Sequence, residues 1–284
     1  MSAKQLILSE LLRTELGPGN HDFRALLANL AASALGKDRP QAETYADANL
    51  RRFWNWLKEA IDDHRRRNLS PYFVIPQPSS FALACGAQHL SQFADPESQV
   101  AGRYSRLRPH LLRQIDRLSD RQYEALAGIA CRSLGASNFY LTPAGNEGGV
   151  DFFATLAISK SDNAPSSLGH ELRVVGQCKK YKTPVPVDRV EGFLQTMSNI
   201  RHRSARVASH IPAWFNESNA PIVGWIISHQ GFQSGSSDEA KQHGLFLSDS
   251  VDLAEILSRC KIMDADKSPS IQRTLLKDMC DALI

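Results

Sequence analysis

Asp151 stands directly after a glycine-rich turn, Gly145-Asn-Glu-Gly-Gly-Val, and the second apolar run that follows it ends in Gly176-Gln177-Cys178-Lys179. A carboxylate just past such a turn, with acceptor-x-lysine at the end of the next strand, brings three polar groups to one end of a hairpin. There they can hold a divalent cation and a water against a phosphate, which is how a metal-dependent nuclease site reads. Magnesium prefers one or two carboxylates together with carbonyls, waters and substrate phosphate to a full protein cage. Asp151, the side-chain carbonyl of Gln177 and a backbone carbonyl therefore make a sufficient, lean ligand set.

These residues need elements to position them, and the pattern supplies candidates. Ser119-x-x-Gln122 is a capping box, and Tyr123, Leu126, Ala127, Ala130 and Leu134 form a helical stripe that stops at Gly135. Asp151 to Ile158 and Leu172 to Cys178 have strand length and β-leaning composition, joined by the polar segment Ser159 to Glu171. Val190, Phe193, Leu194 and Met197 repeat at helical spacing, so that helix lays an apolar face on the sheet. Ile222 to Ile227 is a continuous apolar run, as expected of a central strand buried on both faces. The C-terminal part thus reads as α/β with a mixed sheet. Upstream, Phe23 to Leu35 is an amphipathic stripe closed by Gly36, and a longer helix runs from about Gln41 to Arg67 with Phe53, Trp54, Leu57 and Ile61 on its apolar side. The three prolines between Ser70 and Ser80 mark a connector, while Cys85 to Arg108 carries no clear pattern.

Taken in order, these features resemble the Mrr-type restriction endonuclease domain, a branch of the PD-(D/E)xK nuclease superfamily in which Gln-x-Lys replaces Asp/Glu-x-Lys. The resemblance runs from about Leu118 to Leu257: the capped helix, the glycine-rich turn with Asp151, Gln177-Cys-Lys179-Lys-Tyr181, the helix start Val185-Pro-Val-Asp-Arg-Val-Glu, the strand Ile222 to Ser228, Gly231-Phe232, Asp238-Glu-Ala240 and His243-Gly-Leu-Phe-Leu247. It implies a restriction-endonuclease-like core, a central mixed sheet flanked by helices. The segment between Asp151 and Gln177 is longer than the family's, and the family's turn aspartate is replaced by Asn146-Glu147, so an accessory carboxylate role passes to Glu147.

On this reading Asp151 is the anionic metal ligand, Gln177 supplies a carbonyl or orients the water, and the carbonyl of Cys178 is a further ligand. Lys179 orients or deprotonates the attacking water and stabilises charge on the phosphorane-like transition state. The resemblance implies that Glu124 faces the metal, with an exposed helix acid as the competing reading. Because Gln177 is neutral, the site is one negative charge poorer than an Asp/Glu version. A Cys178 nucleophile would need a neighbouring histidine or helix amino terminus; strand alternation turns it away from Gln177 and Lys179, so it reads as core. His229 and His243 lie within reach of the site region, yet a lone histidine is more often structural.

A net charge of +3 says little, but its distribution says more. Arg173 to Arg206 is strongly basic, and Lys180, Lys182, Arg189, Arg201 and Arg203 are the candidate phosphate contacts. Arg103, Arg106, Arg108, Arg113 and Arg117 form a second basic stretch and His64 to Arg67 a third, each more simply read as a solvated face. Five cysteines, at 85, 131, 178, 260 and 280, show no CxxC spacing, which excludes a zinc cage and fits a reducing cytosol. With no secretion signal and no apolar run of bilayer length, a cytoplasmic protein is expected.

The chain is long enough for two domains. Residues 1–110 read as a mainly helical region for recognition, regulation or partner contact, and residues 111–284 as the Mrr-like part. The expected activity is Mg²⁺-dependent cleavage of DNA phosphodiesters, with Mn²⁺ able to substitute, by a homodimer or beside a partner protein of a defence system. The restriction or anti-phage role follows from the likeness alone. The rival readings are a partner-activated effector that cuts RNA and a DNA-binding module without catalysis.

Overall fold

The computed structural model describes residues 1–75, 83–92, 95–145, 148–157, 171–204, 210–260 and 269–284. The chain divides into two compact units, the boundary falling between Gln114 and Ile115. Among the described residues no helix is long and apolar enough to cross a membrane.

The first unit opens with α1 (Ala3–Arg13), α2 (Phe23–Leu35) and α3 (Arg39–Arg66), each begun by a side chain at its N-cap: Ser2, Asp22 and Asp38 accept from main-chain N–H groups in the first turn. Gly36 ends α2 in the left-handed conformation, the stop that its position indicated. Phe23, Phe53 and Trp54 meet in the core of this helical layer. The segment without a clear sequence pattern holds β3 (Leu83–Gly86), a 3₁₀ turn, α4 (Pro96–Ser105) and the start of α5 (Arg108–Arg117). β3 is central to a small antiparallel sheet with the two-residue strands β1 (His21–Asp22) and β2 (Phe73–Val74).

Arg108 overturns any reading of its stretch as uniformly solvated. It is fully buried, donates to the carbonyls of Ser70 and Pro71, and stacks on Tyr72 at 4.1 Å. Arg113 likewise donates to the carbonyl of Arg13 at 2.7 Å. A guanidinium can satisfy several main-chain carbonyls at once, so arginine serves here as a fold residue.

The second unit is built on a five-stranded sheet ordered β4-β5-β6-β7-β8. β4 (Ala136–Leu141), β5 (Phe152–Ala157) and β6 (Glu171–Lys179) pair antiparallel, and β7 (Ile222–Ser228) and β8 (Phe246–Asp249) continue parallel to β6. This is the mixed sheet expected from the sequence. One face carries α6 (Asp120–Ser133), whose capping box Ser119/Gln122 is formed as read. Phe152 lies on that face between Phe139 and Trp225, over Gly176. The opposite face carries α7 (Val187–Arg201): Val190, Phe193, Met197 and Ile200 pack with Phe153, Val175, Ile226 and Leu245 in one apolar cluster. Further on come α8 (Ala213–Glu217), α9 (Ser234–Gln242), α10 (Ser250–Ser258) and α11 (Pro269–Asp281). The expected insertion between β5 and β6 and the accessory Glu147 lie outside the described residues.

Candidate active site

β6 and β7 run parallel and end together at Lys179 and Ser228, and β5 begins beside that end, with Phe152 opposite Gly176. Side chains alternate along a strand. Phe153 and Val175 belong to the cluster under α7, so Asp151, Gln177 and Lys179 share their face, while Cys178 points to the α6 side. The three residues singled out by type and spacing are therefore gathered at one end and on one face of the sheet.

The turn before Asp151 needs its glycines. Gly145, Gly148 and Gly149 all adopt positive φ, and a Cβ on Gly149 would come within 3.0 Å of Thr196 Oγ1. The buried hydroxyl of Thr142 reaches the carbonyls of Val150 and Asp151 at 2.8 and 3.0 Å and pins the main chain there. Asp151 is buried, and its Oδ2 accepts the main-chain N–H of Cys178 at 2.6 Å, a charge-assisted bond that aims the carboxylate across the hairpin. Because N–H and C=O of one strand residue point to the same side, the Cys178 carbonyl also faces the Asp151 side.

Gln177 donates from Nε2 to the carbonyl of Gly149 at 2.7 Å. A carbonyl can only accept, so the amide orientation is dictated, and Oε1 is presented away from Gly149. A carboxylate oxygen, an amide oxygen and a main-chain carbonyl thus lie at the strand end, all hard oxygen donors of the kind magnesium selects. Among the described residues no group of three or more His, Cys, Asp or Glu side chains is placed to hold a metal ion.

Glu124 stands on α6, across the sheet from Asp151 and Gln177. It pairs with Arg121 at 2.8 Å, and its charge acts on the buried Cys178 thiol. That thiol is held well above its ordinary pKa, first by burial and then by the charges of Asp151 and Glu124, so it is an inert core group rather than a nucleophile.

The basic residues separate into two groups. Lys180 and Lys182 follow the strand end and Arg189 stands in the first turn of α7; Lys180 donates to the carbonyl of Asp116 at 3.2 Å, and Arg189 is exposed beside Asp188 at 3.7 Å. Arg201 and Arg203 lie elsewhere. Arg201 donates to the carbonyl of Ile222 at 3.3 Å and Arg203 to that of Asn216 at 3.2 Å. Ile222 pairs with Arg173 at the opposite end of the strands from Lys179, six residues and about 20 Å away at the usual rise per strand residue. Arg173 is likewise spent on the carbonyls of Phe215 and Ala220, both at 2.7 Å. The sequence grouped these arginines by proximity along the chain, but a strand and a helix carry them to the far edge.

Sequence reasoning passes over two contributors. Thr142 acts through main-chain geometry that residue type does not announce. Asp116, at the end of α5, meets His229, the residue after β7, at 3.4 Å; only the histidine had been noticed.

A mixed sheet flanked by helices thus gathers a carboxylate, an amide and a lysine at one strand end. Residues 115–211 match the Mrr catalytic family model, described as restriction endonuclease. Two solved structures are similar. The DNA modification-dependent restriction endonuclease AspBHI is 21% identical, with 61% of this chain and 39% of that one covered and a TM-score of 0.41. The MspJI restriction endonuclease in complex with a 27-mer oligonucleotide is 19% identical, with 67% and 37% covered and a TM-score of 0.36. The chain spans about two fifths of the length of these structures. Among curated proteins none matches this chain.

Proposed function

We propose that this protein is a Mg²⁺-dependent endonuclease that hydrolyses DNA phosphodiester bonds, with Mn²⁺ able to substitute. The observation that carries the reading is the gathering of Asp151, Gln177 and Lys179 on one face of one strand end, with the amide of Gln177 oriented by Gly149 so that its oxygen is presented.

Asp151, Oε1 of Gln177 and the carbonyl of Cys178 are the residues that hold the cation. When bound, the cation supplies Lewis-acid polarisation of the scissile phosphate and a more acidic water. Lys179 orients the attacking water and offsets negative charge as it develops on the phosphoryl oxygens. A part for Glu124, on the α6 side and paired with Arg121, in placing that water rests on the family likeness. Lys180, Lys182 and Arg189 flank the site and neutralise neighbouring phosphates, whereas Arg201 and Arg203 brace the opposite end of the domain. The first unit is assigned target choice or control, and the setting is restriction or defence against foreign DNA, an assignment that rests on the family likeness.

The test is incubation of the purified protein with plasmid, methylated plasmid, linear DNA and RNA, with Mg²⁺, with Mn²⁺ and with EDTA. Metal-dependent cleavage of DNA is expected. Cleavage of RNA alone would move the reading to an RNA-directed effector, and DNA binding without cleavage under every condition would reduce it to a binding module.

A further inference from the structure

Beyond Gly176 the strand-to-strand ladder at the end that bears Lys179 continues on the β7 side only, while on the β5 side Asp151 Oδ2 accepts from the Cys178 N–H and the Gly149 carbonyl from Gln177 Nε2. Pairing of β6 with β5 stops at Gly176, so from Gln177 onward the neighbouring strand is β7 alone. The last ladder bond there is the main-chain N–H of His229 donating to the carbonyl of Lys179 at 2.9 Å. Strand ends with a single neighbour open readily unless side chains tie them down.

His229 supplies such a tie. Its ring is 10% exposed and meets Tyr123 of α6 edge-on at 5.9 Å. Nδ1 lies 2.9 Å from Ser250 Oγ at the start of α10, and Nε2 lies 3.4 Å from Asp116 Oδ1 at the end of α5. Tyr123 reaches the same Ser250 hydroxyl at 3.5 Å. Asp116 acts twice, since its main-chain carbonyl accepts from Lys180 Nζ at 3.2 Å. Both lysines that follow Cys178 are thus attached to this group, Lys179 through the backbone of His229 and Lys180 through Asp116. The serine, histidine and carboxylate have the composition of a hydrolase triad, but Ser250 is 2% exposed and offers no path to a substrate.

We infer that His229 and Asp116 form a clamp that holds the Lys179–Lys180 step in register with Asp151 and Gln177, and that both are positioning residues for cleavage. The inference rests on the nuclease reading above. A lysine ammonium sits at the end of a flexible stem, so its placement depends on the strand below it, and a displacement near 1 Å costs on the order of 100-fold in rate.

The experiment compares the full-length chain with His229→Ala, Asp116→Ala and His229→Gln by two readouts. Hydrogen exchange followed by mass spectrometry on peptides covering residues 178–183 reports the clamp without reference to activity. Both alanine variants should speed exchange there roughly tenfold or more, the effect of losing about one hydrogen bond's worth of local stability. Single-turnover cleavage at saturating DNA should fall about 100-fold with DNA affinity changed by no more than about twofold. His229→Gln, whose amide nitrogen can still reach Asp116, should recover most of both. Asp116, 31% exposed, carries the test should the histidine not tolerate truncation. Unchanged exchange would overturn the clamp, as would faster exchange with a wild-type cleavage rate. A slower rate without faster exchange would point to substrate contact and overturn it too. Faster exchange in a protein whose wild type cleaves nothing would overturn the nuclease reading and with it any catalytic purpose for the clamp.

Discussion

Replacing Asp151 separates its two roles, because the structure gives this carboxylate a mechanical duty besides its proposed one. Oδ2 accepts the buried N–H of Cys178 at 2.6 Å. Alanine would leave that N–H without its acceptor in a site from which water is largely excluded, at a cost of about 2–3 kcal/mol. Asparagine keeps an oxygen in the same place, loses only the charge assistance, and should cost about 1 kcal/mol or less. Urea unfolding followed by tryptophan fluorescence is a suitable assay, since Trp225 lies in the same sheet against Phe152. With a slope of about 2–3 kcal/mol/M, Asp151→Ala should lower the midpoint by about 1 M and Asp151→Asn by well under half of that. Plasmid cleavage with Mg²⁺ should fall by about 100-fold or more in both variants, because an amide is a poor substitute for an anionic ligand. Wild-type cleavage by Asp151→Asn would refute the ligand role, and an Asp151→Ala midpoint equal to wild type would refute the hydrogen-bond argument.

Gln177→Glu should tighten Mg²⁺ binding, read by calorimetric titration, yet lower metal-free stability by about 1–3 kcal/mol, because it sets a carboxylate oxygen against the Gly149 carbonyl that now accepts from Nε2; Gln177→Ala should weaken the cation, and equal affinities in all three forms would remove Gln177 from its ligands. Gly176→Ala should destabilise the fold by an amount at or above the upper end of about 1–3 kcal/mol and lower the melting temperature accordingly, since its Cβ would stand 1.9 Å from Cζ of Phe152, a ring already held by Phe139 and Trp225; calorimetry showing an unchanged transition would refute it. Charge reversal at Lys182 or Arg189 should reduce the salt slope of DNA binding by about one each. Reversal at Arg201 or Arg203 should leave the slope in place and reduce stability instead, because both side chains are spent on main-chain carbonyls. Mass-mapped alkylation at pH 8 should label the half-buried Cys260 well before Cys178, Cys131 or Cys280, the latter two pushed up to about 12 by burial.

The amino-acid sequence alone determined what depends on local chemistry. Capping residues and stop glycines set the ends of α2 and α6, because those signals act within one turn of the chain. Apolar runs marked β5, β6 and β7, and strand alternation alone placed Gln177 and Lys179 on one face with Cys178 on the other. The edge strand β4 escaped notice because only one neighbour and one helix press on it, which leaves its alternation irregular. Tertiary structure decided whatever depends on which distant segments meet. Along the chain Arg173, Arg201 and Arg203 fall in the basic cluster that reads as phosphate-binding and Arg108 in a stretch that reads as solvated, and only the fold shows carbonyls lying within reach of their guanidinium groups. Asp116, His229 and Ser250 share no motif and are far apart in sequence, yet α5, the end of β7 and α10 deliver them to one point. Residue type fixes which bonds a side chain is able to make; packing decides which of those bonds find a partner.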